Sequence, residues 1–383
     1  MVFSAWLAHD NEWQVAVGTA VQRLALLMPS FRGGGAERVM LTLAEGFADQ
    51  GLAVDLVVAQ MEGAYVAEVP ATVRTINLRA PRVLAATVPL LRYLRGERPR
   101  ALLSALSHMN VVAIWARAVA RVETRLVVSE HNLAGLWLEH AVQRRARLLP
   151  TLMRRTYGSA DAIVTVSDGL ADDLATSLHC DRKRITRIYN PVVTPKLFAL
   201  ADEPVEHSWF AAGEPPVVVA AGRLTREKDF ATLLRAVALV QREREVRLMI
   251  LGEGIERQQL EALASDLAIA TSVALPGFVA NPFRYMRRAA VFVLSSRSEG
   301  FGNVLVEAMA CGTPVVSTDC PSGPGEILQG GRFGRLVPIG DAKAMADAIV
   351  AQLDGAHTAA AMQRAQTFSL DAALEGYRRA LAL

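Results

Sequence analysis

Between Ala290 and Asp319 the chain reads AVFVLSSRSEGFGNVLVEAMACGTPVVSTD. A β-branched apolar run ends at Ser295-Ser296, and a glycine-bearing turn follows. A helical pattern then runs from about Gly302 to Ala310, Gly312 stops it, and TPVVSTD begins a second strand. Strand, turn, helix and strand in 30 residues is the unit of a parallel sheet covered by helices.

The same alternation extends in both directions. On the C-terminal side of a proline-rich stretch, PPVVVAAGRL, VRLMILGEG, TSVALPGFV, AVFVLSS and GTPVVSTD read as strands. KDFATLLRAVALVQRERE and ERQQLEALASDL read as helices between them. On the N-terminal side, QRLALLMPS, LAVDLVVAQ, ALLSALS, TRLVVSEHN and AIVTVS read as strands, and GGGAERVMLTLAEGFADQG as a helix closed by Gly51. The pattern breaks between Asn190 and Pro216, where Pro191, Pro195, Pro204, Pro215 and Pro216 mark an interdomain linker. The final FSLDAALEGYRRALAL is a helical pattern opened by Ser369 as N-cap. The expected organisation is α/β: an irregular extension over 1–21, a Rossmann-like domain over 22–195, a second over 196–365, and a closing helix over 366–383 packed back on the first domain.

Composition agrees. A chain of 383 residues exceeds what one core usually serves, and 52% hydrophobic with 21% charged residues and a mean hydropathy of +0.24 can fill two cores. Cys180, Cys311 and Cys320 form no CxxC pair or even-numbered framework, which suits a reducing cytosol. The opening MVFSAWLAHDNEW lacks the basic region, apolar run and cleavage site of a signal peptide. Charges interrupt every long apolar run, so no membrane-spanning helix is expected.

The net charge of +3 conceals an asymmetry. Residues 1–195 carry 22 Lys/Arg against 17 Asp/Glu, and the remainder 19 against 21. The excess includes Arg92, Arg95, Arg98 and Arg100, and then Arg144, Arg145, Arg147, Arg154 and Arg155 interleaved with Leu148, Leu149, Leu152 and Met153. Such a segment is either a solvated helix or a surface that attracts anionic lipid. No nucleic-acid motif accompanies it.

The chemistry-bearing residues cluster after strands. Glu299 lies in the turn before a helix and Glu307 on that helix, while the amides of Gly300, Phe301 and Gly302 sit at its N-terminus, where hydroxyls or a phosphate are gripped. A carboxylate accepts from two vicinal hydroxyls, so the arrangement suits a polyol joined to a phosphate. The string EGFGNVLVEAMACGTPVV resembles the signature of retaining glycosyltransferase family 4, and the likeness covers nearly the whole chain from about Gln22. That resemblance implies the GT-B architecture, two Rossmann-like domains facing a central cleft. It implies that Glu307 holds the donor's ribose hydroxyls. It further implies that Glu299, with Phe301, Gly302 and the neighbouring Asn303, contacts the donor sugar.

Three further stretches extend the resemblance. In AAGRLTREKDF, Arg223 and Lys228 stand just past a strand, where two cations stabilise a departing nucleoside diphosphate without a metal; Arg226 reads as a solvated neighbour. In FRGGGAER, Gly34 and Gly35 take the place of a loop that closes over the diphosphate from the opposite domain. This is not G-x-G-x-x-G, because position 38 is Arg, and the next strand ends VVAQ without a ribose-binding acid, which disfavours a nicotinamide enzyme. In LPGFVANP, Gly277, Phe278 and Val279 resemble the loop whose backbone reads the nucleobase.

On the acceptor side the candidates are His108 and His131, both after strands, with Asn110 and Asn132 beside them; the S-E-x-N string at Ser129–Asn132 resembles transferases acting on polyprenyl-linked or capsular glycans. With no D-x-D pair and no His/Cys cluster, neither metal nor other cofactor is expected. The expected partners are a nucleotide-sugar donor, with UDP favoured, and a glycan or polyprenyl-linked saccharide acceptor at the inner face of the cytoplasmic membrane. The rivals are a sugar-nucleotide epimerase of the same architecture, which needs no acceptor, and a non-catalytic partner subunit.

Overall fold

The computed structural model describes residues 23–133, 148–355 and 358–383. The expected extension over 1–21 and the arginines at 144, 145 and 147 lie outside the described residues.

Two wholly parallel sheets form the frame. The first contains β1 (Arg23–Met28), β2 (Ala53–Val58), β3 (Arg74–Asn77), β4 (Ala101–Ala105), β5 (Arg125–Glu130), β6 (Ala162–Thr165) and β7 (Ile185–Arg187), in the order β3-β2-β1-β4-β5-β6-β7. The second contains β8 (Val217–Ala221), β9 (Arg247–Leu251), β10 (Val273–Gly277), β11 (Val291–Leu294), β12 (Val315–Thr318) and β13 (Arg335–Val337), in the order β10-β9-β8-β11-β12-β13. Central strands are buried end to end, as β4 and β8 show, because helices cover both faces. Every strand read from sequence is present. The unread ones, β3, β7 and β13, are three- and four-residue edge strands with exposed polar positions, too short and too wet to show a pattern.

Strand order reverses between β1 and β4 in one sheet and between β8 and β11 in the other. Ligands of open α/β sheets bind beyond the carboxyl ends of strands at such switch points. The loops that leave β1, β8 and β11 there carry the residues singled out above.

The proline-rich stretch is not a linker. Val192, Val193, Leu197 and Ala201 are buried in the second domain's core, and Trp209 and Phe210 pack against it. The handover therefore falls before residue 195, at about Tyr189 and Asn190, and Pro195 opens a helix (Pro195–Ala201) whose N-cap, Thr194, accepts from the Leu197 amide. The chain crosses back at Phe368, whose carbonyl accepts from the amides of both Val192 and Val193 at 3.0 Å, while the Leu370 amide donates to Val193. The two crossings are thus paired side by side. Beyond them the Ser369 hydroxyl caps the helix Leu370–Leu381, which buries Leu374, Tyr377 and Leu381 against the first sheet.

Candidate active site

The site is built on the loop that leaves β11. Ser295 donates to the Lys228 carbonyl (2.7 Å) and the Arg297 amide donates to the Glu227 carbonyl (2.7 Å), so this loop is tied to the turn Arg226–Lys228 that follows β8. Lys228 then meets Glu299 at 2.5 Å, and the Ser296 hydroxyl donates to the same carboxylate oxygen at 2.7 Å. Glu299 is held by Oε1, and its Oε2 has no hydrogen bond among the described residues. Arg223 is exposed and unpaired among them. The amides of Gly300, Phe301 and Gly302 likewise donate to no group among them. One positive charge, one carboxylate oxygen and three amides are therefore free for a polyhydroxylated anion.

Deeper in the cleft, on the helix Asn303–Ala310, Glu307 is 9% exposed and has no hydrogen-bond partner among the described residues. Burial pushes its carboxyl up to about 7, against the pull of Arg38 from the opposite domain. A buried carboxyl without a partner is costly unless a ligand supplies donors.

The first domain closes the cleft. The loop after β1 brings Gly35 to the start of that helix, where an added Cβ would lie 3.6 Å from the Asn303 amide nitrogen. Asn190 donates to Asn303 at 2.8 Å across the interface, so the Asn303 side chain serves the contact between the halves. At Gly300 an added Cβ would sit 1.8 Å from the His131 carbonyl oxygen. Only glycine permits that approach. The resulting cleft, about 430 Å³, is lined by Gly34, Gly35, His131, Asn132, Arg223, Lys228, Phe278, Val279, Glu299, Phe301, Gly302, Asn303 and Glu307. Gly277 ends β10 just behind it and accepts from the Gly252 amide at 2.8 Å.

Two acceptor-side expectations are corrected. Asn110 is completely buried, and its amide donates to the Ser129 carbonyl (3.0 Å) and to Glu130 (2.9 Å). It sits on the inner face of the helix Ser107–Ala120, so it supports the core rather than the cleft. His108, on the same helix, does not line the cleft, and burial lowers its pKa. His131 does line it, with Nε2 3.1 Å from the Ser129 hydroxyl, and burial lowers its pKa to about 4. At neutral pH it is an uncharged hydrogen-bonding group.

Sequence reasoning missed Arg38 and Tyr65. The Arg38 guanidinium stacks on the Tyr65 ring at 4.4 Å, donates to its hydroxyl at 3.2 Å and pairs with Glu68. Both line the cleft facing Glu307. Arg38 lies three residues after the glycine run, so its position on the helix's first turn was the available signal.

A second hollow, of about 540 Å³, lies under the C-terminal helix beside β7. Its arginines are engaged: Arg125 and Arg184 with carbonyls, Arg187 with Asp168, Arg379 with Glu375. A free cation, free amides and an unpartnered carboxyl mark the cleft between the domains as the site.

The fold and cleft define a two-domain α/β protein whose cleft, between facing switch points, presents groups suited to a phosphate-bearing polyol. Family models described as "Glycosyltransferase Family 4" and "Glycosyl transferases group 1" match residues 33–195 and 215–354. The chain belongs to the family 4, group 1 glycosyltransferases.

Among curated relatives it is 30% identical over 250 residues to the Campylobacter jejuni N-acetylgalactosamine-N,N'-diacetylbacillosaminyl-diphospho-undecaprenol 4-alpha-N-acetylgalactosaminyltransferase. That alignment covers 65% of this chain and 66% of the relative. It is 41% identical over 136 residues to the lipopolysaccharide core biosynthesis glycosyltransferase LpsE of Rhizobium meliloti, covering 36% and 39%. The alignments thus span about two thirds of the first relative and less of the second. The solved structure of Anabaena HepE with UDP and glucose superposes with a TM-score of 0.76 over 94% of this chain and 99% of that one, at 20% identity. That likeness is one of fold, the GT-B architecture.

Proposed function

We propose that the chain transfers a sugar from a UDP-sugar to a polyprenyl-linked saccharide in cell-envelope polysaccharide synthesis, with retention at the anomeric carbon and without a metal ion. The observation that carries the reading is the set Arg223, Lys228, Glu299 and Glu307 on one wall of the cleft, with free amides between the two glutamates. Glu307 takes the ribose hydroxyls, and the free oxygen of Glu299 takes a sugar hydroxyl. Arg223 and Lys228 meet the diphosphate as its charge develops. Retention follows from front-face displacement, in which the departing phosphate oxygen receives the proton of the acceptor hydroxyl. The neutral His131 orients that hydroxyl, and the closed cleft keeps water from the donor. The acceptor assignment draws on the undecaprenol-linked substrate named for the Campylobacter relative.

The same reading places the first domain against an anionic membrane surface at the inner face of the cytoplasmic membrane. Leu84, Val88 and Leu148 are 63%, 55% and 60% exposed. They lie on or beside the helices Thr87–Glu97 and Leu149–Thr156, which both pack on the helix Ser107–Ala120 and carry Arg92, Arg95, Arg154 and Arg155.

The test is transfer from a panel of UDP-sugars to undecaprenyl-diphosphate saccharides in EDTA, with the product's anomeric configuration read by NMR. A new α-linkage from an α-linked donor supports the reading. Inversion, a requirement for divalent cation, or donor conversion without acceptor contradicts it.

A further inference from the structure

The carbonyl oxygen of Gly300 lies in a small polar cage made by both halves of the molecule. Ser167, from the first domain, and Ser322, from the second, each place a hydroxyl 2.9 Å from it, and the two hydroxyl oxygens are 2.6 Å apart. Three oxygen-to-oxygen contacts share two protons, so the carbonyl and the two hydroxyls form one mutually supporting triangle. Ser167 is fixed in turn, because it caps the helix Asp168–Leu178 and accepts from the Leu170 amide at 3.2 Å. Ser322 is held in the left-handed region at φ 69°, a conformation that costs a serine free energy and persists only where the surroundings impose it. The following Gly323 presses against the same loop, where an added Cβ would lie 1.9 Å from the Phe301 carbonyl oxygen.

A peptide unit is planar and trans, so its C=O and N–H point in opposite directions. Anchoring the Gly300 carbonyl therefore aims the Phe301 amide. The Phe301 ring cannot move to compensate. It is 3% exposed and wedged 5.5 Å from Tyr189 and 5.4 Å from Phe368, aromatic residues of the two interdomain crossings. The Phe301 N–H has no partner among the described residues, and the residue lines the cleft.

We propose that Ser167 and Ser322 are positioning residues that aim the Phe301 amide at the donor sugar, and that Ser167, reaching across from the acceptor domain, makes this aim depend on closure of the two halves. The inference rests on the transfer activity proposed above and deepens it. When the domains part, the carbonyl keeps Ser322 and loses Ser167, so the amide is fully oriented only when acceptor and donor walls face each other. That arrangement protects a bound donor from water in the open state.

The test compares Ser322→Gly, Ser167→Ala and the double variant by steady-state transfer and by thermal shift with UDP and with a panel of UDP-sugars headed by UDP-glucose. Ser322→Gly removes the hydroxyl and relieves the φ 69° backbone together, so a purely structural role would leave it at least as active as the wild type. The expected result is a kcat about tenfold lower for each single variant, with a further loss in the double variant beyond the product of the two. The acceptor KM and the shift produced by UDP alone should stay at wild-type values, while the extra shift from the sugar shrinks. Wild-type kcat in the double variant, or losses that follow Tm alone, would overturn the proposal with the transfer activity standing. A wild type that neither binds UDP nor transfers sugar would overturn both.

Discussion

Two Ser-Glu pairs stand at or just beyond the carboxyl ends of central strands, and the chain uses them oppositely. Glu299, past β11, faces the cleft and pairs with Lys228, and one of its oxygens is left free. Glu130, the last residue of β5, is 1% exposed and turned into the core, where it accepts from Ser107 (2.8 Å), Asn110 (2.9 Å) and Tyr157. Its carboxyl rises to about 6 because burial outweighs those donors, none of which carries a charge. The difference comes from backbone. Eight residues, two of them glycines, separate the end of β11 from the helix Asn303–Ala310 and include Glu299, letting the carboxylate leave the sheet, whereas Glu130 is still in the ladder with β6. A carboxylate on a loop can be given to a ligand; one inside a sheet belongs to the core.

Several variants would break or sharpen this contrast. Lys228→Ala should lower kcat by about a thousandfold, the loss expected when a preorganised charge on the leaving group is removed. Far-UV circular dichroism should stay at the wild-type spectrum, and turnover near wild type would remove the leaving-group role. Gly300→Ala puts a methyl group into the His131 carbonyl and props the halves apart, for about a hundredfold loss in transfer with UDP binding kept. Loss of UDP binding as well would show that the contact shapes the donor wall itself.

The pH dependence of binding separates the second glutamate. Glu307 has its folded pKa raised to about 7, so it is ionised above that pH and protonated below it. The ribose hydroxyls need the ionised form as acceptor. Affinity for UDP measured by calorimetry should therefore weaken about tenfold from pH 8 to pH 6, beyond any change shown by Glu307→Gln, whose amide does not titrate. Parallel profiles for the two proteins would place the ribose elsewhere. For Glu130→Gln the effect should fall on stability instead. An amide cannot satisfy the three donors around it, which costs about 1–3 kcal/mol in chemical denaturation, while kcat below the transition stays at the wild-type value. A selective loss of kcat would bring Glu130 into the chemistry.

The same contrast explains what could be read from sequence. Central strands announce themselves by uninterrupted apolar runs, and the loop after β11 by glycines and charges that a core would not tolerate, so both sheets and most of that wall of the cleft were legible. Asn110 was placed wrongly in the cleft because a polar residue after a strand looks the same whether its helix turns it outward or inward, and His108, on the same helix, does not line the cleft. Only the pairing of Asn110 with Glu130, 20 positions away, decides it. The proline-rich stretch misled for a similar reason: Val192, Val193 and Leu197 reveal their role only against a core most of whose members run from Val217 to Phe368. Arg38 and Ser167 act across the interface, on groups of the other domain, and no local pattern records that.

The most direct test of the account is a thermal-shift screen of UDP, GDP, ADP and their sugar conjugates on the wild type and on Glu307→Ala. A ligand that binds only the folded protein raises its stability by an amount set by concentration over Kd. The account predicts that uridine nucleotides stabilise the wild type and that Glu307→Ala loses the response with its own Tm intact. No shift with any nucleotide on folded wild-type protein, or an undiminished shift in the variant, would contradict it.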